Sequence, residues 1–132
     1  MNRALFSSAS DEWATPADLY AALDEEFHFA DDPCPMDGNV SGLMREWRSP
    51  CFVNPPYSDI KAWMEKAVLE WRAGKTVVCL VPSRTDTAWW HNYAMKAAEI
   101  RFLRGRLRFG GAKNSAPFPS VILVFAAGGV VR

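Results

Sequence analysis

An unbroken apolar run in the middle of the chain sets the strongest limit on its fold. Residues 76–81 read Thr-Val-Val-Cys-Leu-Val, and the run stops at Pro82. An apolar run of this length without polar alternation is typical of a strand that is buried on both faces. The sequence therefore predicts a sheet with a layer packed on each side.

Helix and strand patterns alternate around this run. Helical periodicity predicts helices over residues 16–26, 58–74 and 87–96, and Thr15 is the expected N-cap of the first. Apolar runs predict strands over residues 27–32, 49–53, 99–103, 106–109 and 120–126. Because the two patterns alternate, we expect the α/β class, with a mostly parallel central sheet flanked by helices.

The size and composition of the chain predict one domain. With 132 residues, 49% of them hydrophobic, we expect a flexible N-terminus over residues 1–12 and a single domain over residues 13–132. The three cysteines and two histidines lack the spacing of a disulfide framework or a zinc site, so no metal is expected. No apolar run is long enough to span a membrane, and we expect a cytoplasmic protein.

Three polar segments follow predicted strands directly. They are Asp31-Asp32, Asn54-Pro55-Pro56-Tyr57 and Pro82-Ser83-Arg84. In α/β sheets, ligands bind outside the carboxyl ends of the strands. We therefore expect these segments to line one edge of the domain, where a ligand would bind. The alternative for the acidic pair is a solvated turn or a helix cap.

The Asn54-Pro55-Pro56-Tyr57 motif has the groups needed to hold an exocyclic amine. The Asn54 side-chain oxygen and the Pro55 carbonyl can both accept hydrogen bonds from one NH₂ group, and the two prolines stiffen the turn. Two such acceptors favour a pyramidal nitrogen, whose lone pair can then face a methyl donor. Tyr57 offers a flat face to a planar ring. The motif thus predicts methyl transfer that is catalysed by positioning and electrostatics. The alternative is that the two prolines only end a strand and that Tyr57 packs on the next helix.

The same motif is similar to the catalytic motif of amino methyltransferases. Further segments occur in an order that resembles the phage-type DNA N6-adenine methyltransferase family, which is Dam-like. They are Trp13-Ala-Thr-Pro-Ala-Asp-Leu-Tyr20, Phe29-Ala-Asp-Asp-Pro-Cys34, Phe52-Val-Asn-Pro-Pro-Tyr-Ser58, Leu80-Val-Pro-Ser-Arg-Thr-Asp-Thr-Ala-Trp89, Phe102-Leu-Arg-Gly-Arg-Leu-Arg-Phe109 and Ala116-Pro-Phe-Pro-Ser120.

This resemblance implies a reduced Rossmann-like methyltransferase that uses S-adenosylmethionine and acts on double-stranded DNA in a bacterial host, as a phage or prophage product. It places Thr15 and Pro16 at the amino-acid end of the cofactor. The first-strand cofactor position would be taken by Asp32, Pro33 and Cys34. Residues 54–57 would hold a flipped adenine, with Asn54 also adjoining the cofactor.

Basic residues supply candidates for contacts with DNA phosphate. Arg104, Arg106 and Arg108 alternate, so a strand would present all three on one face, and Lys113 follows in a loop. Arg84 stands at a strand end. The alternatives are a solvated edge strand for the first three and an ion pair with Asp86 for Arg84. The net charge of the whole chain is zero, so any attraction to DNA must be local.

Two features keep other functions open. No glycine-rich turn follows Asp32, and only 21 residues separate Asp32 from Asn54, too few for two further strand–helix units. The chain could therefore be a catalytically degenerate methyltransferase-fold module that binds nucleic acid or a partner. The amine acceptor could also lie in RNA or on a protein glutamine. Because so small a domain covers little DNA, a homodimer is a further expectation.

Overall fold

A mixed four-stranded sheet with helices packed against it forms the described part of the chain. The computed structural model describes residues 14–35, 41–109 and 115–129. The predicted flexible segment 1–12 and Lys113 lie outside these residues. In chain order the elements are α1 (Ala17–Phe27), β1 (Cys51–Val53), α2 (Ile60–Arg72), β2 (Val77–Pro82), α3 (Ala88–Asn92), β3 (Glu99–Phe102) and β4 (Ser120–Phe125).

The sheet has the order β1-β2-β4-β3, and it is mixed. Strand β1 pairs parallel to β2, whereas β4 pairs antiparallel to both β2 and β3. The α/β class is confirmed, but the prediction of a mostly parallel sheet is wrong. A parallel return from β3 would need a crossover, usually a helix. The described residues between β3 and β4 contain no α-helix, and the chain turns back antiparallel instead.

Both faces of the sheet are covered, as the apolar run predicted. All six residues of β2 are buried, and so are all six of β4. Alternate strand residues pack on opposite sides. On one side, Val77 and Cys79 contact the core that α2 and α3 complete. On the other side, Val78 and Leu80 pack with Leu23 of α1 and with Phe109 and Phe118.

Helix α2 buries one apolar stripe on the sheet. Its buried apolar residues recur at helical spacing and are Ile60, Trp63, Met64, Ala67 and Val68. Each large side chain buried in this way contributes about 1.5–3 kcal/mol relative to an exposed one. A short 3₁₀ turn, Tyr57–Asp59, precedes the helix in place of the predicted cap at Ser58. Within the described residues, no helix is long and apolar enough to cross a membrane.

The strand predicted over residues 27–32 is reduced to one bridge. Residue His28 ends α1 in the left-handed region, with φ of 55°. The Phe29 N–H then bonds to the Asp24 side chain at 2.9 Å instead of to a neighbouring strand. Pairing with β1 is limited to a parallel bridge between Asp31 and Cys51. Local hydrogen bonds from the end of α1 therefore replace most of the predicted ladder.

Two other predicted elements differ from the structure. The helix predicted over residues 87–96 is split into α3 and a 3₁₀ turn, Ala94–Lys96, although Thr87 caps its start by accepting from the Trp90 N–H. The strand predicted over residues 106–109 is wrong, since these residues pair with no strand that the structure describes. Leu107 instead accepts a hydrogen bond from the Ala116 N–H at 2.8 Å, which closes a loop.

Candidate active site

Strand directions bring two of the three predicted polar segments to one edge of the sheet. Because β4 is antiparallel to β2 and to β3, the strands β1, β2 and β3 all point the same way. The carboxyl ends of these three strands therefore share an edge. Asn54 follows β1 at this edge, and Arg84 lies two residues beyond β2. The basic segment that begins with Arg104 follows β3 there.

A hydrogen bond joins Asn54 to Thr15, across 39 residues of chain. The Asn54 Nδ2 donates to Thr15 Oγ1 at 3.1 Å, and both side chains are half-buried. Thr15 was expected to cap α1, but the residue before the helix is Pro16, and it makes no side-chain cap. The Thr15 hydroxyl therefore bonds to the Asn54 side chain and does not cap the helix.

The two prolines form the stiff turn that the sequence predicted. Pro55 is buried, and the Pro56 carbonyl accepts from the Asp59 N–H at 3.1 Å, which starts the 3₁₀ turn before α2. Among the residues that the structure describes, no hydrogen bond is made to the Pro55 carbonyl. That carbonyl is one of the two acceptors predicted for an amine.

Tyr57 lies where the two core clusters meet, and its ring packs on Phe118. The ring centroids are 5.2 Å apart at an interplanar angle of 75°. The Tyr57 hydroxyl is buried and has no hydrogen-bond partner in the described part of the chain. Burial raises the pKa of this hydroxyl, and the positive charge of Arg84 offsets only part of the rise. Tyr57 is therefore neutral at physiological pH, and it offers a ring but no base.

A pocket of about 210 Å³ opens beside Tyr57. Its walls are Tyr57, Ile60, Pro82, Arg84, Thr87 and Trp89. The Thr87 hydroxyl accepts from the Trp90 N–H and donates to the Arg84 carbonyl at 2.7 Å, so the turn after β2 is held in place. The pocket thus combines aromatic walls with one cationic side chain.

Arg84 lies over the ring of Phe118, with its guanidinium carbon 5.7 Å from the ring centroid. The alternative of an ion pair with Asp86 is absent from the described residues. Arg84 is exposed. A cation over an aromatic face is favourable and leaves guanidinium N–H groups to meet an anion.

The neighbouring acids Asp31 and Asp32 differ in role. Asp31 is buried, and both of its carboxylate oxygens bond to Arg45. Burial alone would raise the pKa of Asp31, but hydrogen bonds from Arg45 and the Arg48 N–H outweigh it and hold this pKa below its ordinary value. Asp32 is exposed. Sequence reasoning missed Arg45 and Arg48, because their spacing from Asp31 matches no local pattern.

Gly42 packs closely against the backbone of the candidate cofactor residue Pro33. A Cβ at Gly42 would lie 2.0 Å from the Pro33 carbonyl oxygen, so only glycine fits. The Gly42 carbonyl accepts from the Trp47 indole N–H at 2.7 Å. Pro33 is buried and Cys34 packs on the core. The sequence has no glycine-rich turn after Asp32. Gly42 instead lets two backbone segments of the protein pack closely, at Pro33.

The basic segment after β3 is exposed, although it is not a strand. Arg104, Arg106 and Arg108 are exposed, while Leu107 and Phe109 between and after them pack on the core. All three arginines are therefore accessible to solvent, and Lys113 lies outside the described residues. Arg101 differs from them, because Glu26 and Glu99 accept hydrogen bonds from its guanidinium at 2.7–3.0 Å.

Comparison with known proteins identifies a family for the chain. A family model described as DNA N-6-adenine-methyltransferase (Dam) matches residues 3–126, nearly the whole chain. No curated protein and no solved structure matches the chain significantly. Within the described residues, no cluster of three or more His, Cys, Asp or Glu side chains could hold a metal ion.

Proposed function

Since the chain belongs to the DNA N-6-adenine-methyltransferase (Dam) family, we propose that it methylates the N6 amine of adenine in double-stranded DNA, with S-adenosylmethionine as the donor. The mixed α/β fold is compatible with a methyltransferase, and we infer a reduced Rossmann-like version of it. The observation that carries the proposal is the position of Asn54 and Pro55 at the carboxyl end of β1, with the Asn54 amide held by Thr15.

In this proposal the target amine is held by acceptors. The Asn54 side-chain oxygen and the Pro55 carbonyl accept its two N–H groups, which turns the nitrogen lone pair out of the plane of the base. Pro56 stiffens the turn that carries both acceptors. Because the turn is preorganised, the stabilisation costs little reorganisation during the reaction. No side chain has to act as a strong base, which agrees with the neutral Tyr57 hydroxyl.

The flipped base would lie against Tyr57. The pocket beside Tyr57 has the aromatic and apolar walls that suit a planar base, and a half-buried ring at its rim supports stacking. Arg84 would bind a phosphate of the extruded nucleotide, and Arg104, Arg106 and Arg108 would follow the DNA backbone. Lys113 would extend this contact.

The candidate cofactor residues suit the polar groups of S-adenosylmethionine. Asp32 presents an exposed carboxylate for an ammonium group or ribose hydroxyls, and the Thr15 hydroxyl, which accepts from Asn54, still has a proton to donate to a carboxylate. Pro16, Pro33 and Cys34 would form the adjoining wall. When bound, the cofactor supplies an electrophilic methyl group on a positively charged sulfur.

Transfer of labelled methyl groups tests this function. The protein is incubated with unmethylated double-stranded DNA and methyl-labelled S-adenosylmethionine, and the DNA is digested to nucleosides. We expect label in N6-methyladenine, with at least about 100-fold less for Asn54→Ala, as for loss of a preorganised polar group. Asn92→Ala, an exposed change at the end of α3, is the matched control. Label in another base, or in none, would contradict the proposal.

One structural observation favours a second function. The strand before β1 is reduced to the bridge at Asp31, so the cofactor side of the sheet is small in the described residues. A methyltransferase-fold module that binds DNA without catalysis would fit this reduction. Calorimetric titration distinguishes the two, since such a module would not bind S-adenosylmethionine even at millimolar concentration.

A further inference from the structure

The Asn54–Thr15 hydrogen bond links two residues whose backbones are restricted in the same way. Each directly precedes a proline, Pro55 or Pro16, and a residue before proline is confined to extended conformations. The freedom left to Asn54 is mainly in its side-chain torsions. The bond from Asn54 Nδ2 to Thr15 Oγ1 at 3.1 Å restrains those torsions.

The orientation of the Asn54 amide decides whether it can hold an amine. One side of the amide carries Nδ2, a donor, and the other carries Oδ1, an acceptor. A target amine needs the acceptor, and an amide rotated by half a turn would present N–H groups to N–H groups. In the structure Nδ2 faces Thr15, so Oδ1 lies on the opposite side of the amide.

We infer that Thr15 is a positioning residue for methyl transfer: its hydroxyl accepts from Nδ2 of Asn54, and once its own proton is donated to the cofactor carboxylate it cannot donate to a rotated Oδ1, so that Oδ1 faces the target amine. This inference rests on the proposed function and adds a residue to it. Thr15 is well placed for the role, because the Pro16 carbonyl anchors the start of α1 by accepting from the Tyr20 N–H at 3.0 Å. The hydroxyl is thus fixed to a helix rather than to a free loop.

A pair of Thr15 variants separates this role from a purely structural one. Thr15→Val keeps the shape and removes the hydroxyl, whereas Thr15→Ser keeps the hydroxyl. For Thr15→Val we expect kcat to fall by about 3- to 10-fold, as for the loss of one hydrogen bond, with the KM for DNA unchanged at saturating S-adenosylmethionine. Thr15→Ser should restore kcat to near the wild-type value, and thermal unfolding checks that both variants are folded.

A double-mutant cycle tests whether the effect passes through Asn54. In an Asn54→Ala background, Thr15→Val should cause no further loss of residual activity, because the amide that it orients is gone. The side-chain NH₂ resonances of Asn54 give a readout that needs no turnover. They should shift in Thr15→Val and stay close to wild type in Thr15→Ser.

The outcomes distinguish this inference from the proposed function. An inactive wild-type chain overturns the proposed function and this inference with it. An active wild type whose kcat is unchanged by Thr15→Val overturns the inference alone. A rise only in the KM for S-adenosylmethionine also overturns it, because Thr15 would then act on the cofactor and not on Asn54. Equal losses in the Val and Ser variants indicate packing and have the same consequence.

Discussion

Arg45 donates hydrogen bonds to both carboxylate oxygens of Asp31, at 2.7 and 2.9 Å. A third bond comes from the Arg48 N–H at 2.9 Å, and the Asp31 side chain is only 3% exposed. The Asp31 carboxylate therefore holds residues 45–48 against the segment that bridges to β1. Of the two neighbouring acids, Asp31 is buried in the bridge beside β1, and Asp32 is exposed to solvent.

Replacing Asp31 by Asn should make stability less dependent on pH. We expect a loss of about 2 kcal/mol at pH 7, since the pair with the partly exposed Arg45 is broken. Because the folded pKa of Asp31 is lowered, its contribution is complete above the ordinary value of 3.8 and is lost as the pH falls through the lowered pKa. Urea unfolding of both chains between pH 7 and pH 3 checks this. An equal difference at every pH would contradict it, and Asp86→Asn, in an exposed turn, is the control.

The close contact between Gly42 and Pro33 predicts that one added methyl group will destabilise the fold strongly. A Cβ at Gly42 would meet backbone that cannot move easily, and also the Trp63 ring at 2.9 Å. We expect Gly42→Ala to destabilise the fold by about 3 kcal/mol, as in severe overpacking. Gly74→Ala adds a methyl in open space at φ of 102°, and should cost about 1 kcal/mol from backbone strain alone. Chemical denaturation ranks the two variants, and the reverse order would refute the steric explanation.

The buried Tyr57 hydroxyl should be dispensable, while the ring should not. Tyr57→Phe removes a hydroxyl that has no partner in the described residues, so stability should stay equal or rise slightly and methylation should change little. Tyr57→Leu removes the flat face and should lower kcat/KM by about 10-fold or more, given the usual energy of base stacking. Both are compared by DNA methylation below their unfolding temperatures. Equal losses in the two variants would assign the role to the hydroxyl instead.

The exposed arginines after β3 should control the salt dependence of DNA binding. Replacing Arg104, Arg106 and Arg108 by Gln should weaken binding to any DNA sequence. It should also reduce the slope of log affinity against log salt by about three, close to one for each phosphate contact. Fluorescence anisotropy at several salt concentrations measures this slope. Arg72→Gln, exposed at the end of α2 and at the opposite edge of the sheet, should leave it unchanged.

Patterns within short segments predicted much of this fold. The apolar run over residues 76–81 became the buried strand β2, and the helical spacing of Trp63 and Ala67 gave the buried face of α2. The position of Asn54 after a strand also follows from such a pattern. In each case the signal is carried by neighbours in sequence, since the period of burial is a local property.

Contacts between distant segments could not be predicted in this way. The direction of β4 depends on the path of the loop before it, and an apolar run has the same pattern in either direction. Thr15 carries a side chain suited to a cap, yet its partner is Asn54, 39 residues away. The Arg45 partner of Asp31 is likewise set by the folded path of residues 41–48. These are the contacts that shape the candidate site.

The antiparallel direction of β4 also determines where a tether or a fusion partner can be joined to the protein. Since β4 begins at the edge that carries Asn54, it ends at the far edge, where Ala126 accepts from the Trp71 indole and the Ala127 N–H bonds to Thr76. Thr15, in contrast, enters the fold beside Asn54. A surface tether or fluorescent fusion joined downstream of residue 129 would leave the edge that carries Asn54 accessible. The same cargo placed upstream of Thr15 would crowd it.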